Sequence, residues 1–289
     1  MLIDSHAHIY DHEFFRDDEA EEVLTRCYKN GINKIVLIGT NPTDSLEARD
    51  YVKKYDGKFG VNLYWTYGIH PEFANEDFAG AGYIKPDFSD CKPIAIGEVG
   101  LDYHYDAEQT DIEKNHELQK QLFRNMIDLA VENNLPLSFH VRDAIPDFLD
   151  IVDEYTDDYL AAKNYDLNDD PTENNRSRLR AVVHSYSDSK KNLAKCLARG
   201  FYIGVNGLAT YSTLPTPPLE RTLIETDAPF LVPAPFRTPH QDGDPVYGAI
   251  RNDSSYIKTI AEWLAAKHET TFAEVEKITN ANCEKLFKF

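Results

Sequence analysis

Six side chains with the chemistry of metal ligands stand at the ends of short apolar runs in this 289-residue sequence. His6 and His8 close Ile3-Asp4-Ser5-His6-Ala7-His8. Glu98 lies in Ile96-Gly97-Glu98-Val99-Gly100-Leu101-Asp102. His140 lies in Ser138-Phe139-His140-Val141-Arg142-Asp143, His184 in Val182-Val183-His184-Ser185, and Asp227 in Glu225-Thr226-Asp227-Ala228-Pro229. Residues two apart on an extended segment leave it on the same side, so His6 and His8 can act together. Imidazole and carboxylate together suit zinc, manganese or, with fewer histidines, magnesium. One or two such ions can activate a water for hydrolysis, and two ions about 3.5–4 Å apart can also polarise a phosphoryl oxygen. A carboxylate placed between two cations can bridge them, and Glu98 sits midway along the series. Asp227 suits the role of proton acceptor. Arg142, two residues after His140, can fork onto a phosphate oxygen or serve as a helix-cap or surface arginine. Asp4 and Asp102 either orient a ligand from behind or cap a turn. His12, His104, His116, His240 and His268 fall in loops or helices and read as ordinary histidines.

These groups are far apart in the chain, so elements must bring them together. Eight short apolar or β-branched runs read as strands: Leu2–Asp4, Lys34–Gly39, Asn62–Gly68, Ile94–Glu98, Leu137–His140, Ala181–His184, Phe201–Gly204 and Leu223–Asp227. Most are too apolar to be half exposed, as expected of parallel strands buried on both faces. Helical stretches intervene. From Glu113 to Asn133, Leu118, Leu122, Met126 and Ala130 recur at every fourth position. A second stretch carries Ile257, Ile260, Ala261 and Leu264. A third opens with Thr271 and Glu274, the spacing of a capping box. The alternation predicts an α/β (β/α)₈ TIM barrel, with an open doubly wound sheet as the rival. In a parallel barrel the six residues, from five strands, share the C-terminal rim where barrel active sites form.

The length suits a single barrel domain over 1–289. Two stretches break the rhythm and read as surface insertions. Residues 153–178 are polar and acidic, and residues 231–251 are rich in proline and glycine. The second directly follows the last strand and would cover the barrel mouth. The net charge of -19 repels phosphate backbones, so any nucleic-acid chemistry must rest on a local site where bound cations invert the field. The scattered cysteines 27, 91, 196 and 283 form no CxxC pair, which fits a reducing, cytoplasmic setting. No apolar run is long enough to cross a bilayer. A cleaved leader is not expected either, since the first strand begins at Leu2.

Taken together, Asp4-Ser5-His6-Ala7-His8, Gly68-Ile69-His70-Pro71, Gly97-Glu98-Val99-Gly100-Leu101-Asp102, His140-Val141-Arg142-Asp143-Ala144, His184-Ser185-Tyr186-Ser187, Glu225-Thr226-Asp227-Ala228-Pro229 and the tail Asn280-Ala281-Asn282-Cys283-Glu284-Lys285-Leu286-Phe287 resemble the TatD-type metal-dependent deoxyribonucleases of the amidohydrolase-like barrel superfamily. The resemblance implies that His6, His8 and Asp227 hold one divalent cation, that His140 and His184 hold another, and that Glu98 bridges. It implies a hydrolase of DNA phosphodiester bonds, an exonuclease, with no obligate protein partner. It also places His70 against the scissile phosphate or leaving group, although His70 before Pro71 reads equally as a turn histidine. The sequence departs from the family pattern at Glu72, where a second histidine is usual, at Ser185-Tyr186-Ser187-Asp188, and at Arg251-Asn252, which comes about twenty residues late. These departures bear on substrate choice, because mouth loops decide what enters. Two other readings compete with DNA hydrolysis: cleavage of another ester, amide or lactone on the same scaffold, and a metal-binding interaction protein without turnover.

Overall fold

The computed structural model describes residues 1–80, 83–104, 106, 110–168, 178–234, 236–237 and 250–289. Its strands are β1 (Leu2–Ala7), β2 (Ile32–Leu37), β3 (Asn62–Tyr67), β4 (Ala95–Asp102), β5 (Leu137–Arg142), β6 (Ala181–Val183), β7 (Tyr202–Val205) and β8 (Thr222–Ile224). They form one parallel sheet in sequential order. A parallel bridge between Ala7 and Ala228 brings the segment after β8 alongside β1 and closes the cylinder. The expected barrel is therefore observed, and the open doubly wound sheet is excluded by the strand order. Among the described residues no helix is long and apolar enough to cross a membrane, and the four cysteines are free thiols.

Helices α1 (Ala20–Lys29), α2 (Pro42–Tyr55), α3 (Glu76–Ala79), α4 (Ile112–Glu132), α5 (Ile145–Val152), α6 (Asp157–Ala162), α7 (Lys190–Leu197), α8 (Ile257–Lys267) and α9 (Phe272–Phe287) alternate with or follow the strands. The four-residue stripe read in the sequence becomes α4, which buries Leu122, Phe123, Met126, Ile127 and Ala130. Leu118 is only partly buried at its edge. Thr271 caps α9 by accepting from the Glu274 N–H at 3.2 Å. Of the acidic stretch 153–178, residues 169–177 lie outside the described residues. The remainder is not wholly irregular, because it contains α6 and buries Tyr155, Leu160 and Tyr165. Most of 231–251, including Pro235, Pro239, His240 and Pro245, is likewise outside them.

Strand alternation divides each strand between two environments. On β5, Phe139 faces the helices and meets Phe123 of α4 and Phe148 of α5, with ring centroids 5.5 Å and 5.1 Å away, and Phe201 before β7 at 5.5 Å. Its neighbours Ser138 and His140 must then face the barrel axis. A separate apolar cluster of Ile3, Val36, Ala95, Val182, Tyr202 and Leu223 also includes Cys283, Leu286 and Phe287 of α9. Phe139→Ala should cost about 3–5 kcal/mol, read as a lower urea midpoint at constant slope. A loss under about 1 kcal/mol would mean the aromatic cluster does not anchor the helical layer.

Two irregularities occur where function is expected. Between Asp4 and Ala7, β1 spends three residues against two of β2. Between Ile96 and Val99, β4 does the same against β5. Such bulges bend a strand and re-aim a side chain. His6 and Glu98 lie inside them. Glu98 therefore does not end its strand, as the apolar run suggested; β4 continues to Asp102.

Candidate metal centre

The six expected ligands converge at the C-terminal mouth. His6 lies near the end of β1 and His8 directly follows it, Glu98 sits in the β4 bulge, His140 is on β5, and His184 and Asp227 follow β6 and β8. His6 Nε2 lies 3.4 Å from Glu98 Oε2 and 3.6 Å from Asp227 Oδ1. His8 Nε2 lies 4.0 Å and 3.7 Å from the same two oxygens. The other Glu98 oxygen, Oε1, is 2.7 Å from both His140 Nδ1 and His184 Nε2. Two donor groups, His6–His8–Asp227 and Glu98–His140–His184, are each compact enough to hold a cation. Glu98 places one oxygen toward each.

Gly68 allows this convergence, since a Cβ there would fall 2.3 Å from the Glu98 amide nitrogen. Gly204 leaves room for Glu225, whose Oε2 would lie 2.3 Å from a Cβ at that position.

The electrostatics fit cation binding. His6 is 1% exposed, and both its ring nitrogens lack a hydrogen-bond partner among the described residues. A buried imidazole left this way is costly, and a metal ion would satisfy its lone pair. Burial and the neighbouring His184, whose ring stacks at 3.9 Å, hold His6 below its ordinary pKa, in the neutral ligand form. Burial disfavours the charged form of Glu98, yet His184, His140 and His6 outweigh it and hold the carboxyl well below its usual range. Burial likewise opposes ionisation of Asp227, but His8, His6 and His184 pull it below its ordinary value. His184 is pushed well above its usual range despite burial, by Glu98 and Glu225. Loading a cation there must release protons.

The structure separates the roles of the ambiguous aspartates. Asp102 Oδ2 is 3.0 Å from His140 Nε2, which turns His140 Nδ1 toward Glu98. Asp102 is itself fixed at its backbone by the buried Gln119, which accepts from its N–H and donates to its carbonyl, both at 2.9 Å. Asp4 touches neither imidazole; it accepts from the Thr226 N–H and hydroxyl and the His6 N–H, tying β1 to the segment that carries Asp227. Burial raises Asp4 to about 7, even though the nearby Ser254 hydroxyl and the hydrogen bonds from Thr226 oppose the rise. Asp102→Asn should weaken metal affinity by about 10–100-fold, the range for a partner behind a ligating histidine. Chelator competition measures this, and an unchanged affinity would remove Asp102 from the centre.

His70 follows β3 with Nε2 3.9 Å from Glu98 Oε1 and its ring 4.3 Å from that of His140. Its Nδ1 accepts from the Glu72 N–H at 3.2 Å. Burial and His140 lower it to about 3. It is therefore a neutral ring whose remaining proton sits on Nε2, facing the centre. Arg142 ends β5 in register with Asp102, on the same strand face as His140. His104 and His116 pair instead with Asp143 and Asp106 away from the centre.

Sequence reasoning assigned no role at the site to three buried polar residues, although Glu225 and Asn252 stood in motifs it quoted. Glu225 lies behind His184, with Oε1 3.6 Å from His184 Nδ1 and accepting from Ser185 N–H and Asn206 Nδ2. Its position two before Asp227 was the available signal. Asn252 is fully buried and donates to the Thr226 carbonyl at 3.0 Å and to that of Phe230, bracing the Asp227 loop. Nothing in the sequence pattern singled out Asn206.

The comparisons agree with this geometry. The family description "TatD related DNase" matches residues 3–288. The chain is 32% identical over 299 residues to a Bacillus subtilis protein named uncharacterized metal-dependent hydrolase YabD, covering 100% of this chain and 99% of that one. It is 29% identical over 284 residues to a Citrobacter rodentium protein named 3'-5' ssDNA/RNA exonuclease TatD, covering 95% and 93%. Its fold resembles the crystal structure of a TatD family hydrolase from Entamoeba histolytica, with a TM-score of 0.77, 23% identity, and coverage of 99% and 97%. With a family match across almost every residue and a closed parallel barrel gathering imidazoles and carboxylates at its mouth, the chain belongs to the TatD related DNase family of metal-dependent hydrolases.

Proposed function

We propose that this protein hydrolyses phosphodiester bonds in DNA, as an exonuclease on single strands, with one or two divalent ions (magnesium, zinc or manganese) at the barrel mouth. The observation that carries the reading is the division of Glu98 between two donor groups, Oε2 beside His6 and His8 and Oε1 beside His140 and His184. His6, His8 and Asp227 would hold one ion, and His140 and His184 the other, with Glu98 shared. Bound there, a divalent ion supplies Lewis-acid polarisation and acidifies a water.

The protein's own groups do the rest. Asp227, 14% exposed at the side chain, accepts the proton of the attacking water. His70 offers its Nε2–H to a phosphoryl oxygen or the leaving group. Arg142 forks onto a second phosphate oxygen. A cavity of about 560 Å³ at the same end of the barrel is lined by Val141 in β5 and by Asp143, Ser187, Asp188 and Leu214 on the segments after β5, β6 and β7. It offers room for a nucleotide adjoining the scissile bond. The formal net charge of -19 disfavours long duplex contacts and suits an enzyme that engages one strand end locally.

The test is to load purified protein with each of the three metals and offer a labelled single-stranded oligonucleotide beside a panel of esters, amides and lactones. Progressive shortening of the oligonucleotide, abolished by chelator, is expected. Turnover confined to the panel would move the assignment to another bond on the same centre. No turnover by fully loaded protein would favour a binding role.

A further inference from the structure

A buried carboxylate stands on the far flank of the His184 ring from Glu98. Glu225 directly follows β8 and is fully buried. Its backbone N–H donates to the Val205 carbonyl at 3.1 Å, which fixes it beside the end of β7. Its Oε1 accepts from the Ser185 N–H at 2.6 Å and from Asn206 Nδ2 at 3.2 Å. Asn206, itself buried, also donates to the Ser185 hydroxyl at 2.8 Å. Gly204 leaves the space that Oε2 occupies. The segments after β6, β7 and β8 thus hold this carboxylate in one place through neutral groups. Glu225 Oε2 has no hydrogen-bond partner among the described residues, and neither has His184 Nδ1, which lies 3.6 Å from Oε1.

A neutral imidazole offers one lone pair and one N–H. His184 Nε2 points at Glu98 Oε1 at 2.7 Å, on the side where the Glu98–His140–His184 group would hold an ion. A lone pair committed there leaves the proton on Nδ1, buried and in need of an acceptor. Glu225 is the acceptor the fold supplies. The need is mutual, because a carboxylate buried without a cation is costly, and an ion bound through His184 sets positive charge on the other flank of the ring. A nitrogen of His6 also lies within 4.8 Å of His184 and Glu225, in a third compact group, and its ring stacks on that of His184 at 3.9 Å. That group does not suit an ion of its own. Each ring has a single lone pair, and His6 Nε2, 3.4 Å from Glu98 Oε2, faces the mouth as His184 Nε2 does.

We propose that Glu225 is a positioning residue: it holds His184 as the Nδ1–H tautomer and so aims Nε2 at the ion shared with Glu98 and His140. The inference rests on His184 being a ligand, so His184→Gln is measured beside Glu225→Gln and Glu225→Met. Zinc is titrated by calorimetry into each metal-free full-length protein, and zinc-loaded samples carrying isotope-labelled histidine are compared by NMR. In wild type, a slowly exchanging imidazole N–H should be assigned to His184 Nδ1 by its absence from His184→Gln. The zinc affinity lost in His184→Gln should fall by about 10–100-fold in Glu225→Met, which fills the space without a strong acceptor, and the slow N–H should be lost with it. Glu225→Gln must keep its oxygen toward the Ser185 and Asn206 donors, so the N–H should persist and the loss of affinity should be smaller. If Glu225→Met does not fold, the wild-type and Glu225→Gln spectra decide. Unchanged zinc affinity in His184→Gln would overturn His184 as a ligand, and the inference with it. With that affinity lost, four results would overturn the role of Glu225 alone: no slowly exchanging proton on His184 Nδ1 in wild type; its absence from Glu225→Gln; its persistence in Glu225→Met; or wild-type zinc affinity in Glu225→Met.

Discussion

Glu98→Ala should remove one of two bound cations and nearly all turnover. The expectation follows from how the donor atoms are shared. Without Glu98, His6, His8 and Asp227 still form a three-donor group that includes an anion. His140 and His184 are left as a pair of neutral-ligand candidates, and the carboxylate that contacts both at 2.7 Å is gone. Removing a partner that merely orients a ligand costs about 10–100-fold in affinity or activity, so removing a shared ligand must cost more. Metal content by plasma mass spectrometry after equilibrium dialysis should fall to at most one ion per chain. Activity should drop by about 10³-fold or further, in line with losses when one member of a catalytic unit is removed. A retained unfolding transition would show that the barrel survives. Two ions at full occupancy in Glu98→Ala would refute the bridge, and wild-type activity with one ion would refute the need for a second.

Glu98 also shows how much could be read beforehand. Its type, and its place in an apolar run followed by glycines, were visible, as were the histidines at strand ends. Parallel strands put their C-terminal ends on one rim whatever lies between them. The bulge that turns Glu98 inward was not visible, because it is a property of pairing between β4 and β5. Gln119 and Glu225 escaped notice for a related reason. Gln119 is a polar position of an amphipathic helix and Glu225 directly follows β8, and the partner of each arrives from a different segment. Helix α2 was missed although Asn41 caps it and Pro42 opens it, because it buries only the small residues Ser45 and Ala48 and so shows no apolar stripe. Helix α6 was hidden in an acidic stretch whose exposed residues outnumber its buried Leu160. Patterning reports the groups that meet the core or the rim. It is silent on polar side chains that brace them from behind.

Asp227→Asn should leave substrate binding largely intact and lower kcat by about 10²–10⁴-fold, the range for a lost general base. The substitution keeps size and shape, so the loop can retain its geometry. That loop is strongly determined. Asp227 sits at φ 54°, an uncommon conformation for a residue with a side chain. It is held there by its N–H to the His6 carbonyl at 2.9 Å and by Asn252 bracing the carbonyls on either side. Such positions persist where the surroundings over-determine them, and they gather at working sites. The neighbouring histidines keep the carboxylate ionised at neutral pH, so it stands ready as an acceptor. A base this weak takes a proton only from water that is already acidified, which is the division of labour expected beside a divalent cation. Because Asp227 also faces His6 Nε2 and His8 Nε2 as a candidate ligand, a slower variant could reflect a lost ion. Steady-state rates must therefore be measured across a metal titration. A deficit in kcat that persists at saturating metal identifies the proton acceptor, a deficit that metal repairs identifies a ligand only, and full activity at every metal concentration would exclude both roles.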